Sequence, residues 1–200
     1  MMRRMLAVAA LLGVAACAPG SGGVAGVDVP NNDLDVATPE LVQSKADLGI
    51  EPCPQAQTAD GGLPEITLRC FGGGRDVDLS TLEGPTILNF WQAYCGPCRE
   101  EMPALQEFHE RYADQVQIIG VDYADTQVVG AMQLAGRTGA TYPMLADPIA
   151  ELADTGIGFM GGLPYFVFLR ADGSYSKTVG GVQDLADLVE LAEEQLGLQL

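Results

Sequence analysis

Cys95 and Cys98 are the residues whose type and spacing could by themselves do chemistry in this chain. With only Gly96 and Pro97 between them, both sulfurs can sit on the first turn of one helix, close enough to bond after small adjustments. There the unpaired backbone N–H groups and the positive end of the helix dipole stabilise a thiolate. Cys95 is therefore the expected nucleophile and Cys98 its resolving partner, and the two form a redox-active disulfide. The chemistry is thiol-disulfide exchange, which requires no organic cofactor and no metal. Zinc would use the same spacing but needs two more ligands. The chain offers only His109, on the following helix, and it reads as a neutral surface histidine.

Such a dithiol needs a strand to deliver it and a helix behind it. Residues 86–91, β-branched and aromatic, have the composition of a buried strand. A helix is expected over 97–112, with Met102, Leu105, Phe108 and Tyr112 at spacings of three and four. Pro97 is tolerated in its first turn, whereas Pro103 falls inside it and should kink it. Further on, a buried strand is expected over 116–122 and a helix over 126–137. A short segment over 142–145 and a helix over 148–154 follow. A strand over 161–169 enters through Pro164, and Asp172-Gly173 turns the chain into 174–179. The last helix spans 184–196, with Leu185, Leu188, Val189, Ala192 and Leu196 on one face. Alternating strands and helices imply parallel pairing with right-handed crossovers, and the final hairpin adds an antiparallel edge.

The 200-residue chain carries a formal charge of -17, and its few basic residues form no cluster. Nucleic acid is excluded as a partner, because phosphate binding needs such clusters. Residues 1–16 read as a signal peptide: Arg3 and Arg4, an apolar run too short to span a bilayer, then Ala15 and Ala16. Val14-Ala15-Ala16-Cys17 resembles the lipobox of bacterial lipoproteins, which implies cleavage before Cys17 and a lipid on its sulfur. Residues 17–39, rich in Gly, Ala, Pro, Asn and Asp, read as a flexible tether to the membrane. Residues 40–63 form an N-terminal extension with an amphipathic turn or short helix over 40–49. Cys53 and Cys70 remain as an even pair. In an exported protein the expectation is a structural disulfide between them, worth about 3 kcal/mol in a chain-entropy account. The alternative is that the pair exchanges with Cys95 and Cys98. Gly72-Gly73-Gly74 lacks the strand, lysine and helix of a phosphate loop and reads as a turn.

From residue 64 to 200 the chain resembles the extracytoplasmic TlpA/ResA branch of thioredoxin-like thiol-disulfide oxidoreductases. The residues that carry the likeness are Asn89-Phe90-Trp91, Cys95-Gly96-Pro97-Cys98, Arg99-Glu100-Glu101-Met102-Pro103 and Gly162-Leu163-Pro164. The resemblance implies an α/β thioredoxin-like fold, a central mixed sheet flanked by helices, preceded by the N-terminal extension. It implies a cis Leu163-Pro164 bond beside the dithiol, and a substrate wall made of Trp91, Gly96, Pro97, Leu163 and Pro164, with Trp91 and Tyr94 shielding the site or simply packing. Asn89 stands where thioredoxin itself has a buried Asp, and an amide cannot take up a proton. In this branch a Glu three residues after the second cysteine lies near the site, which makes Glu101 the expected proton exchanger with Cys98, against the reading of a solvated helix Glu. The implied activity is disulfide exchange with exported thiol or disulfide proteins, apocytochrome c among them, by a monomeric, membrane-anchored reductase served by a membrane electron donor or acceptor. An oxidase of the DsbA/DsbE kind is the alternative, and a non-enzymatic lipoprotein binding module a further one. A peroxiredoxin expects Thr or Ser three residues before its reactive Cys, and here Gln92 stands there.

Overall fold

The computed structural model describes residues 34–55, 62–158 and 160–200. The signal peptide, Cys17 and the expected tether up to residue 33 lie outside the described residues. Among the described residues no helix is long and apolar enough to cross a membrane.

Helix α1 (Pro39–Leu48) begins where the Thr38 hydroxyl accepts from the Leu41 N–H and Pro39 enters the first turn. It ends at Gly49 in the left-handed conformation. Strands β1 (Thr67–Cys70) and β2 (Val77–Asp78) pair antiparallel, and a 3-10 turn (Leu79–Thr81) follows. Then come β3 (Thr86–Trp91), α2 (Gly96–Tyr112), β4 (Gln117–Tyr123), α3 (Val128–Thr138), β5 (Met144–Asp147), β6 (Tyr165–Leu169), β7 (Tyr175–Val179) and α4 (Leu185–Leu196). One sheet runs β2-β1-β5-β4-β3-β6-β7. Strand β3 pairs parallel with β4 and antiparallel with β6, and β4 pairs parallel with β5, so the sheet is mixed.

All six residues of β3 are buried, because the strand is central and covered on both faces. Its side chains alternate between two cores. Ile87 and Trp91 join Met102, Leu105 and Phe108 of α2, Leu134 of α3 and Leu188 of α4. Leu88 and Phe90 point the other way, toward Leu79, Leu152 and Ile157. On that second face the Phe90 ring stacks on Tyr165 with centroids 4.1 Å apart.

The residues expected as a helix over 148–154 form turns instead. The Asp147 carboxylate takes the Glu151 and Leu152 N–H groups, and Ala150 adopts a positive φ of 57°, which a helix does not tolerate. His109, expected on the surface, is buried on α2, with Nε2 3.1 Å from Glu51 Oε1 of the N-terminal extension. Helix α2 continues as one element across Pro103.

Candidate functional site

Strand β3 ends at Trp91, and its chain emerges at the edge of the sheet where β4 also ends. Two side chains hold the following loop. The Gln92 amide donates to the Tyr123 and Ala124 carbonyls at 2.8 and 3.2 Å. The Asp125 carboxylate accepts from Ala93 N–H at 2.6 Å and from Gln127 N–H at 2.7 Å. The loop therefore delivers Cys95 as the N-cap of α2, where its Sγ accepts from the Cys98 N–H at 3.1 Å.

Cys95 and Cys98 are joined as a disulfide with Cα atoms 5.2 Å apart. Cys98 is buried while Cys95 is half-buried, so an incoming sulfur meets Cys95 first. Cys95 lines a cleft of about 490 Å³ together with Gln92, Pro97, Ala124, Gly162 and Leu163. The Leu163-Pro164 peptide is cis, as the resemblance implied, and so is Gly84-Pro85 at the entry to β3. Pro164 itself is buried, and its carbonyl accepts from Gly180 N–H at 3.0 Å. Gly96 lies half-exposed on the first turn of the helix.

Glu101 sits one turn after Cys98 on α2 and is 0% exposed. The Asn89 amide donates to its Oε1 at 2.7 Å and Val182 N–H to its Oε2 at 3.4 Å. Burial pushes its carboxyl up from 4.5 to about 8, against the opposing pull of these two hydrogen bonds. The carboxyl has room only because residue 181 is glycine, since a Cβ there would lie 2.9 Å from Glu101 Oε2 and 3.2 Å from Pro164 Cγ. Nearby, Tyr142 is fully buried, and burial and then the Glu101 charge push its hydroxyl above the usual range. Asp122, at the register of Trp91, is also buried. Burial, then the neighbouring Asp125, raise it well above the carboxylate range.

Trp91 corrects an expectation. It is 0% exposed, faces α2 rather than solvent, and its Nε1 has no hydrogen-bond partner among the described residues. A side chain in that position supports the dithiol from beneath and cannot touch a substrate. Tyr94 is the exposed aromatic, at 77%.

The sequence alone left the partner of Glu101 unseen. Asn89 cannot itself carry a proton, yet it holds the carboxylate that can. The available signal was strand alternation, which puts residue 89 on the face of Ile87 and Trp91, toward α2.

Cys53 and Cys70 are joined as the second disulfide, with Cα atoms 5.9 Å apart. It ties the segment after α1 to the end of β1, next to β5 rather than β3.

Residues 61–173 match the model of the AhpC/TSA family. The chain is similar to the thioredoxin-like protein YneN of Bacillus subtilis, 29% identical over 56% of this chain and 62% of that one. It is also similar to the thiol-disulfide oxidoreductase ResA of Oceanobacillus iheyensis, 32% identical over 54% of this chain and 56% of that one. The match thus spans less than two thirds of either relative. Among solved structures, a secreted thiol-disulfide isomerase from Corynebacterium glutamicum superposes with a TM-score of 0.57 at 25% identity, over 65% of this chain and 82% of that one.

Proposed function

Because this chain belongs to the AhpC/TSA family, with ResA-type relatives, we propose that it is a thiol-disulfide oxidoreductase acting on exported proteins through Cys95 and Cys98. The observation that carries this reading is the asymmetry of the dithiol. Cys95 Sγ is at a helix N-cap beside an open cleft, and Cys98 is buried, one helical turn before a carboxyl of raised pKa.

In the reducing direction, the Cys95 thiolate attacks one sulfur of a substrate disulfide and the other substrate sulfur leaves with the electron pair. The cleft wall formed by Pro97, Gly162 and Leu163 holds the substrate chain near Cys95. Gly96 brings no side chain to obstruct it, and Pro164 fixes that wall from within. Cys98 then loses its proton and attacks Cys95 Sγ, releasing the second substrate thiol and leaving the Cys95–Cys98 disulfide. Glu101 exchanges the Cys98 proton, since a carboxyl near 8 is matched to a thiol better than one near 4.5. The oxidising direction is the same path reversed.

Peroxide is not the substrate we propose, because the Gln92 amide that precedes Cys95 is occupied with the Tyr123 and Ala124 carbonyls. The disulfide Cys53–Cys70 staples the extension to the sheet. Lipid attachment at Cys17 and an extracytoplasmic location at the membrane are part of the proposal, supported by the N-terminal sequence; a monomeric state and a membrane electron partner complete it. Apocytochrome c is the substrate class proposed for the reductase.

A Cys98→Ala variant should accumulate mixed disulfides at Cys95 when incubated with exported disulfide proteins. Absence of any Cys95 adduct would remove the proposal. A glutathione titration of the Cys95–Cys98 pair sets the direction: a potential of about -300 to -250 mV marks a reductase, and one of about -120 mV an oxidase.

A further inference from the structure

The triglycine turn and the second disulfide meet at Lys45. Its ammonium donates to Cys70 Sγ and to the Gly73 carbonyl, each at 3.0 Å. The lysine is buried, and burial lowers its pKa. Gly72 and Gly74 make this approach possible. A Cβ at Gly72 would meet Lys45 Cβ at 2.8 Å, and one at Gly74 would meet Cys70 Sγ at 3.1 Å; both residues have positive φ. A buried cation against a neutral disulfide sulfur gains little, whereas against a thiolate it gains a charge-assisted hydrogen bond. The other sulfur has a matching partner: Cys53 Sγ lies 3.1 Å from the Met144 carbonyl, an acceptor that only a protonated thiol can use. The Asp76 carboxylate is engaged by the backbone, its Oδ1 accepting from the Cys70 N–H at 3.4 Å. The surroundings thus fit one thiol at Cys53 and one thiolate at Cys70.

Cys53, 7% exposed, lines a cleft of about 460 Å³, while Cys70, 2% exposed, does not. Lys45 and Arg75 also line that cleft, and among the described residues no carboxylate does, in a chain of 27 acidic and 10 basic residues.

We propose that Cys53–Cys70 is a second redox-active disulfide, opened by a low-molecular-weight anionic thiol that enters this cleft and attacks Cys53. The attacking thiolate bonds to Cys53 Sγ, the bond to Cys70 breaks, and Cys70 leaves with the electron pair as a thiolate held by Lys45. A second thiolate attacks the small-molecule sulfur of the mixed disulfide, and Cys53 departs and takes up a proton. Two thiols become one small disulfide, two electrons enter the protein, and of the two protons released one stays on Cys53 and one goes to solvent. The Cys95–Cys98 chemistry takes no part.

The test equilibrates the oxidised full chain with glutathione buffers, alkylates it, and maps both cysteine pairs by peptide mass. Cys53–Cys70 should open while the chain stays folded, with the glutathione adduct on Cys53. Lys45→Met should lower the equilibrium constant for reduction at least tenfold, about 30 mV for this two-electron couple, and Lys45→Arg should retain most of the wild-type value. Cysteamine, a cationic thiol, should open the pair more slowly than glutathione. The proposal is overturned if the pair opens only when the fold is lost, if the adduct sits on Cys70, or if Lys45→Met titrates with the wild type. Should Lys45→Met not fold, the adduct position and Lys45→Arg decide. The Cys95–Cys98 peptides in the same digests report the main dithiol independently.

Discussion

Glu101→Gln tests the buried carboxyl at the centre of the site. In the folded protein Glu101 holds its proton up to about 8, against an ordinary value of 4.5. Below pH 4.5 both folded and unfolded chains carry that proton, and its contribution to stability is fully present. As the pH rises through the interval the unfolded chain ionises while the folded one does not, so stability falls; above about 8 the loss is complete. At about 1.4 kcal/mol per pH unit, the interval corresponds to a loss of about 5 kcal/mol, an upper value because the interior relaxes around the charge. A glutamine does not ionise. It keeps an oxygen for the Asn89 amide but turns an NH₂ toward the Val182 N–H, which costs about 1 to 3 kcal/mol at every pH. Urea unfolding of the oxidised protein from pH 5 to 9 should therefore give crossing curves: wild type more stable at pH 5, Glu101→Gln more stable at pH 9. Asp122 and Asp147, which burial also raises, titrate in both proteins and cancel in the difference. Parallel curves would refute the reasoning, because they would mean that Glu101 titrates like an exposed carboxyl. The same variant should flatten the pH dependence of Cys98 alkylation in the reduced protein.

Asn89→Ala removes the donor to Glu101 Oε1, so the carboxyl should move further up and the pH profile of disulfide exchange should shift alkaline, with a stability loss of about 1 to 3 kcal/mol in urea. Gly181→Ala puts a methyl group 2.9 Å from Glu101 Oε2 and should cost about 1 to 3 kcal/mol while displacing the carboxyl; unchanged stability would show that the loop simply yields. Trp91→Phe should lower stability by about 1 to 3 kcal/mol and leave the KM for a disulfide substrate within about twofold, since the indole is wholly buried. Leu163→Glu, in the cleft wall, should raise that KM by about tenfold with the dithiol potential unchanged, measured by substrate titration and by glutathione equilibrium.

The sequence determined what is local or covalent. A CxxC at the end of a β-branched run predicts a thiol at a helix N-cap, because the cap and the spacing lie within one turn of chain. The β-branched and aromatic run predicted β3, and the 3.6-residue patterns α2 and α4, nearly to the residue, and Asp172-Gly173 predicted the final hairpin. With Cys17 assigned to the leader and Cys95 and Cys98 to the dithiol, the remaining two of five cysteines predicted the Cys53–Cys70 bond itself. One local signal overrode another over 148–154, which looked helical but has its Glu151 and Leu152 N–H groups taken by the Asp147 carboxylate. Packing alone decided which side chains meet across elements. Trp91 became a support rather than a substrate contact, His109 found Glu51 across 58 residues, and Lys45 reached Cys70 beneath three glycines. Asn89 and Glu101 are separated by a strand end, a loop and a helix start, and neither sequence neighbourhood signals the other. Their pairing, and the raised pKa that follows from it being buried, exist only because the sheet and α2 close over them. Hydrogen bonds and desolvation depend on that closure, and closure is a property of the whole fold.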